Sequence, residues 1–171
     1  METPLFVNLI RALGGSPTPI AWTEVYTALQ TGVVDGQENP ISSTVFAKLY
    51  EVQKYITLDG HVYGVDWFLI DNDFFESLPE DLQYIVFDAA RVSAGVGRGL
   101  QLLNSNVVGL QTVLEHGSEV YGPSEEELNQ FREATQGPVI EWLETVIDRA
   151  LIDEALEAVE QAVEEHRALM K

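Results

Sequence analysis

An α/β fold is what this sequence predicts, on three observations. Stretches with helical apolar spacing alternate with short β-rich runs, proline and glycine punctuate the alternation, and one helical stretch near the middle is long enough to be a single extended helix. The first helix starts at Thr3-Pro4, carries Leu5, Ile10 and Leu13, and ends at Gly14-Gly15, where a left-handed residue can close it. Ser16 to Ala21 is extended because each proline biases its predecessor away from helical angles. Thr23 then caps a helix with Val25, Tyr26, Ala28 and Leu29 on its apolar side, ending near Gly32. Val33-Val34 reads as a short buried strand that opens into an Asp35-Gly36 turn.

Asn39 is placed to cap the next helix, with Pro40 in its first turn and Val45, Phe46, Leu49 and Tyr50 as its apolar face. Tyr55 to Tyr63 and Trp67 to Ile70 follow as strands, rich in aromatic and branched residues. Ser77 and Glu80 have capping-box spacing around Pro79, so the long helix is expected from about Pro79 to about Glu115. Gly95, Gly97 and Gly99 interrupt it. They lack G-x-G-x-x-G spacing and a preceding strand, so a kink or close packing is expected there, not a dinucleotide site. Gly117 to Tyr121 returns as a strand, and Ser124 with Glu127 repeats the capping pattern. Helices are then expected to about Thr135 and from Pro138 onward. In the last stretch Ile140, Leu143, Val146, Ile147, Leu151, Leu156, Val159 and Val163 approximate a 3.6-residue period, which predicts one packed face and a glutamate-rich wet one. Trp67 and Trp142 read as core.

Charge and composition bound the function. The 171 residues carry a net charge of −19, with only 9 basic residues. Nucleic acid and anionic membrane surfaces both need clustered Lys and Arg, so neither is an expected partner. Residues 115–171 hold 15 acids against 4 bases, net −11, leaving −8 for the rest; acidic helical faces of this kind are usually solvated. Zero cysteines exclude disulfides, thiolate catalysis and cysteine-ligated metals. No apolar run approaches the ~20 residues that span a bilayer, so direct membrane insertion is not expected. Met1 is followed by Glu-Thr-Pro and not by a basic and apolar leader, which reads as the absence of an export signal. The three histidines, His61, His116 and His166, stand far apart and no catalytic or metal motif accompanies them, so no cofactor, metal or catalytic residue is expected.

The densest chemistry lies in residues 33 to 40, Val-Val-Asp-Gly-Gln-Glu-Asn-Pro, a sharp turn with two carboxylates and two amides directly after a helix. On the residues alone, Asp35 and Glu38 are a turn pair and Asn39 is a helix cap. Together with Ala12 to Gly32 upstream, Lys48-Leu49-Tyr50-Glu51-Val52-Gln53-Lys54-Tyr55 leading to His61, and Ser77-Leu78-Pro79-Glu80-Asp81-Leu82-Gln83, the octet closely resembles the solute-binding proteins of TRAP transporters, the DctP-like family of periplasmic receptors. The resemblance covers nearly the whole chain but matches the C-terminal half of the family pattern.

What the resemblance implies is a periplasmic-binding-protein-like α/β architecture with a mixed sheet, one long helix spanning two lobes, C-terminal helices, and an N-terminal lobe largely missing. It divides the chain into residues 1–66, a second-lobe segment with half of the ligand cleft; 67–116, the return strand and long helix; and 117–171, a strand and C-terminal helices. It implies that Asn39 reaches the ligand, a role a carboxamide fills by offering both donor and acceptor. Trp22 would wall the cleft where family members resembling this one place an aromatic ring, more usually phenylalanine. Gln37 and Glu38 would tie the turn, and His61, Tyr63 and Asp66 would border the ligand. The family's carboxylate-clamping arginine falls just before the position of Met1, and none of Arg11, Arg91 or Arg98 aligns with it. Such charge-assisted bonds contribute about 1.5–3 kcal/mol each.

The function so implied is the periplasmic solute-binding component of a TRAP transporter, capturing a small organic acid such as a C4-dicarboxylate or uronate for membrane permease subunits, here as a truncated chain. No enzymatic activity is expected. The unpaired lobe surface would favour a homodimer or domain exchange. The rival reading is an acidic helical interaction module that has kept the scaffold without the pocket and binds a partner through residues 138–171. A hydrolase using Asp35 and Glu38 stands third.

Overall fold

A computed structural model describes residues 3–169, and in it helices dominate and a single pair of strands forms the sheet. The elements in order are α1 (Pro4–Ala12), a 3-10 turn (Trp22–Glu24) leading into α2 (Val25–Gln30), α3 (Ile41–Phe46), a second 3-10 turn (Leu49–Glu51) and β1 (Tyr55–Thr57). They continue with α4 (Asn72–Ser77), α5 (Glu80–Leu103), a π-helical turn (Asn104–Val108), α6 (Gly109–His116), β2 (Glu119–Tyr121), α7 (Glu125–Leu143) and α8 (Arg149–Leu169). The chain divides into two compact units: the described residues up to Val25 together with those from Pro123 onward, and Tyr26–Gly122.

In the first of these units α1 packs on α7, and Leu9 is buried. Pro4 occupies the first turn of α1 as expected, and Gly14, at φ +81°, ends it. The amides of Gly14 and Gly15 close the helix by donating to the carbonyls of Arg11 and Ile10, the paired pattern that a left-handed residue past a helix end makes possible. At the start of α7 the expected capping box is complete. The Glu127 amide donates to Ser124 Oγ, and the Ser124 amide donates to the Glu127 carboxylate at 2.8 Å. α7 then runs through Pro138 to Leu143, so the break expected before Pro138 falls instead at 144–148, where Arg149 pairs with Glu144 and Asp153. Helix α8 buries only Ile152. Of its predicted apolar face, Leu151, Val159 and Val163 are exposed and Leu156 is half-buried, because among the described residues no element packs closely along it. Trp142 is half-buried.

The other unit holds the tightest core. Leu49 and Val113 are 0% exposed, with Ala28, Leu29 and Thr44 also buried. Helix α6 lies against α3, and Gly109 is where they approach. A Cβ at that position would collide with the Asn104 carbonyl and lie 2.8 Å from Ile41 Cγ2. The Gly109 amide donates to the Asn104 carbonyl five residues back, which is the wide turn of a π-bulge. Residues 80–116 therefore form the long helical run that the sequence predicts, but its interruption is not at Gly95, Gly97 and Gly99. An added Cβ would meet nothing within 4 Å at any of those three.

β1 and β2 pair in parallel, Tyr55 with Glu119, Ile56 with Val120 and Thr57 with Tyr121, and the Leu58 amide extends the ladder to the Tyr121 carbonyl. The first predicted strand thus stops near Thr57, well before Tyr63, and Trp67 to Ile70 form no strand. Both lack a neighbouring strand among the described residues, and a strand is defined by its partner's hydrogen bonds. Trp67, expected in the core, is 79% exposed. Val33-Val34 is no strand either: Val33 is 69% exposed, and the amides of both residues turn back to the Ala28 carbonyl past Gly32 at φ +71°. Three expected caps also shift. The turn before α2 begins at Ala21, ahead of Thr23. Pro40, not Asn39, precedes α3. Ser77 donates to the Phe74 carbonyl at the end of α4, whose own N-cap is Asp71 accepting from the Phe74 amide, and Pro79 precedes α5.

Gly109→Ala is expected to lower the unfolding free energy by about 1–3 kcal/mol through overpacking. Gly97→Ala, on the exposed side of α5, is expected to raise it by about 0.5–1 kcal/mol. Urea titration of both variants against the parent chain checks the pair.

Candidate functional site

The chain leaving α2 cannot stay extended after Gly32, so it bends through 33–36 and delivers Gln37, Glu38 and Asn39, all half-buried, to the approach to α3. Pro40 takes the position before α3, so the Asn39 side chain is released from helix capping. Its Nδ2 donates instead to Gln37 Oε1 at 2.6 Å. That bond uses one of the two amide protons and leaves the Asn39 oxygen with both lone pairs. Asp35 beside it is exposed.

The loop that follows β1 comes back to the same place. Gly60, at φ +57°, lets Asp59 and His61 turn toward each other, and Asp59 Oδ1 lies 2.8 Å from His61 Nδ1. On the other edge of the ring, His61 Nε2 faces Glu38 Oε2 at 3.4 Å, an ion-pair contact too loose to give the buried Nε2 a well-formed hydrogen bond. The three side chains are each about one-fifth exposed. An imidazole with a carboxylate at each nitrogen is most stable with both nitrogens protonated. The Glu38 carboxylate contributes most to this; partial burial opposes it, Asp59 reinforces it, and the imidazole pKa rises to about 9. At neutral pH the group is an imidazolium that ties the 37–39 segment to the chain leaving β1.

The sequence-predicted site residues are therefore brought together only in part. Gln37, Glu38, Asn39 and His61 form one connected cluster. Tyr63 is 88% exposed and Asp66 is exposed, and neither joins the cluster through a side-chain hydrogen bond or ion pair with another described residue. Trp22 belongs to the first unit, opening the 3-10 turn there at 44% exposure. Asp59 was not among the expected residues. Its signal was the Asp-Gly-His spacing, in which a short acid two residues ahead of a ring can close on it across a left-handed glycine. No cluster of three or more His, Asp or Glu able to hold a metal occurs among the described residues, and no helix among them is long and apolar enough to cross a membrane.

The arrangement offers two paired carboxamides, Asn39 and Gln37, and a fixed cation shielded by two acids. That set suits reversible recognition of a polar solute. Comparison with known proteins agrees in kind. The profile of bacterial extracellular solute-binding proteins, family 7 (DctP), matches residues 1–145. The chain is 46% identical over 98 residues to a solute-binding protein of Verminephrobacter eiseniae, covering 57% of this chain and 29% of that protein. It is 43% identical over 90 residues to the ectoine-binding periplasmic protein TeaA of Halomonas elongata, covering 53% of this chain and 26% of that one. The solved TRAP periplasmic solute-binding protein of Ralstonia eutropha H16, with bound (S)-2-acetolactate, superposes with a TM-score of 0.82 at 29% identity, covering 94% of this chain and 52% of that chain. The chain thus spans less than a third of each of the first two proteins and about half of the third.

Because the folded pKa of His61 lies above the ordinary value of 6.5, its stabilisation is full below about pH 6.5 and is lost as pH rises through 9. Unfolding free energy is expected to fall across that window by on the order of 2 kcal/mol after allowance for partial solvent screening. His61→Gln is expected to remove that slope, as read by denaturation at pH 6 and pH 9.5.

Proposed function

This chain belongs to the DctP family of bacterial extracellular solute-binding proteins, family 7, and from that we propose that it forms one side of a periplasmic receptor's solute cleft, presenting a small organic acid to TRAP permease subunits for uptake without chemical change. Asn39 carries the reading: its carboxamide is free of the helix cap, steadied by Gln37 at 2.6 Å, and set on a segment pinned through Glu38 to His61. In this role the Asn39 side chain hydrogen-bonds a carboxylate or hydroxyl oxygen of the solute. Tyr63 and Asp66 are peripheral contacts. The acetolactate in the Ralstonia eutropha relative supports an acid as the ligand class, while the kinship to the ectoine-binding TeaA makes ectoine the competing solute.

A receptor of this kind closes because the solute makes contacts in the closed form that the open form lacks. The clamp arginine that the family resemblance implies aligns with no arginine of this chain, and Arg91 is engaged with Asp88 at 2.8 Å. The contact proposed for the solute on this half-cleft is thus the Asn39 carboxamide and not a guanidinium fork.

The exposed apolar side of α8, with Leu151 and Val159 each more than half exposed, supports the second reading, an acidic interaction module. Deleting α8 would then abolish partner binding while solutes have no effect.

Calorimetry and thermal shift with (S)-2-acetolactate, succinate, galacturonate and ectoine distinguish these readings. The expected result is weak, millimolar-range binding of an acid by the 171-residue chain, weakened about tenfold further by Asn39→Ala, which corresponds to about 1.4 kcal/mol. A micromolar complex of the unaltered chain would refute the half-cleft. No response to any acid, or a response that Asn39→Ala leaves unchanged, would refute the Asn39 role.

A further inference from the structure

The dipeptide Asp-Gly occurs twice in this chain, at Asp35-Gly36 and Asp59-Gly60, and Asn-Gly does not occur. Such a dipeptide has a reactivity of its own. A five-membered ring closes when the glycine amide nitrogen reaches the aspartate Cγ, and glycine neither shields that nitrogen with a Cβ nor restricts the rotation that brings it there. The fold decides whether this happens, because a backbone held in regular structure does not make the rotation and a carboxylate held by a partner does not turn its carbon toward the amide.

The two sites differ in these respects. Asp59 is about one-fifth exposed, its Oδ1 lies 2.8 Å from His61 Nδ1, and Gly60 is set at φ +57° by the turn that makes this contact. Asp35 and Gly36 are both exposed and lie outside every helix and strand. Neither the Asp35 side chain nor the Gly36 amide makes a hydrogen bond or ion pair with another described residue. The space around Gly36 is open, since a Cβ built there would meet only Gln53 Nε2, at 3.8 Å.

We propose that Asp35-Gly36 is a site of spontaneous covalent modification, at which Asp35 converts to isoaspartate through a cyclic imide, while Asp59-Gly60 is protected by its contact with His61. In the first step the Gly36 nitrogen bonds to Cγ of the protonated Asp35 carboxyl, and a carboxyl oxygen leaves as water with its own proton and the amide proton. In the second step water adds to one of the two imide carbonyls, and the bond from that carbon to nitrogen breaks. Opening at Cγ restores aspartate. Opening at the main-chain carbonyl carbon of Asp35 leaves the chain running through Cβ and Cγ, with the former main-chain carbonyl as the free carboxylate. One water is released and one taken up, so the mass is unchanged and no oxidant or reductant is needed. The product inserts an extra carbon into the main chain directly ahead of the Gln37–Asn39 segment, so the candidate site hangs on the stretch most prone to chemical ageing. The reaction needs no solute, and it stands or falls apart from the receptor reading.

The test ages the 171-residue chain at 37 °C and pH 6 and follows both dipeptides by tryptic mapping, which puts them on separate peptides, residues 12–48 and 55–91. Isoaspartate is read as a second chromatographic peak of equal mass and assigned by electron-transfer fragmentation. It is expected to accumulate at Asp35 at least tenfold faster than at Asp59, and unfolding in urea is expected to bring the two rates within about twofold of each other, because the gap comes from local protection. His61→Ala is expected to speed the reaction at Asp59 at least threefold, and Asp35→Glu to remove the signal from the first peptide, since the larger ring closes slowly. Absence of isoaspartate at Asp35, equal rates in the folded chain, a gap that survives unfolding, or a rate at Asp59 indifferent to His61→Ala would each overturn the proposal.

Discussion

Gly109 sits where the Asn104 carbonyl and the Ile41 side chain leave no room for a Cβ, and the geometry around it constrains the second unit. The π-turn before it takes up one extra residue, re-aiming α6 relative to α5 and bringing it onto α3. That approach buries Leu49 and Val113 completely, and Val113 lies on the same short helix that ends at Gly117 and hands the chain to β2. β2 can then pair with β1, so the start of the 58–61 loop is fixed by the same core. A small core of fully excluded side chains is sensitive to single methyl groups, which is why one glycine matters more here than the three exposed ones in α5.

The candidate site depends on this core at one remove. Its residues come from two segments twenty positions apart in sequence, 37–39 ahead of α3 and 59–61 after β1. The His61 imidazolium between Glu38 and Asp59 holds them together. A partly buried cation with an acid at each nitrogen satisfies charges that would otherwise be costly to desolvate, so the cluster is locally self-consistent without any ligand. It leaves the carboxamide of Asn39 as the polar group with spare hydrogen-bonding capacity, steadied by its neighbour Gln37. The scaffold and the site are thus coupled through position, while the recognising group itself has little structural duty.

Much of this was legible in the residues. Pro4, Gly14, Gly32, the Ser124–Glu127 box and the long helical run to residue 116 follow local rules, in which a cap or a turn acts on neighbours a few positions away. The octet around Asn39 also announced itself by its density of polar groups. What the sequence misplaced were the features that need a distant partner. Val33-Val34 and Trp67 to Ile70 have strand composition, yet the first is consumed by the closure of α2 and the second has no described strand beside it. The apolar period along α8 is real, but a period says only which residues share a face, not that anything covers it. Asp59 escaped notice because its role depends on His61 also reaching Glu38, a contact between segments that no local pattern encodes.

By itself the sequence determined most of the helical segments, though not α4 or the run of α7 through Pro138, together with the acidic character and the family to which the chain belongs, because these depend on residue types and spacings within a few turns. Only the tertiary structure decided that the interruption of the long helix is a π-turn at 104–108, that Asn39 is released from capping by Pro40, that His61 is held as a cation between Glu38 and Asp59, and that residues 62–70 stand uncovered. Each of these rests on whether a particular distant atom is present to pair with, exclude or shield a group. That is a property of the packed chain and not of any stretch of it.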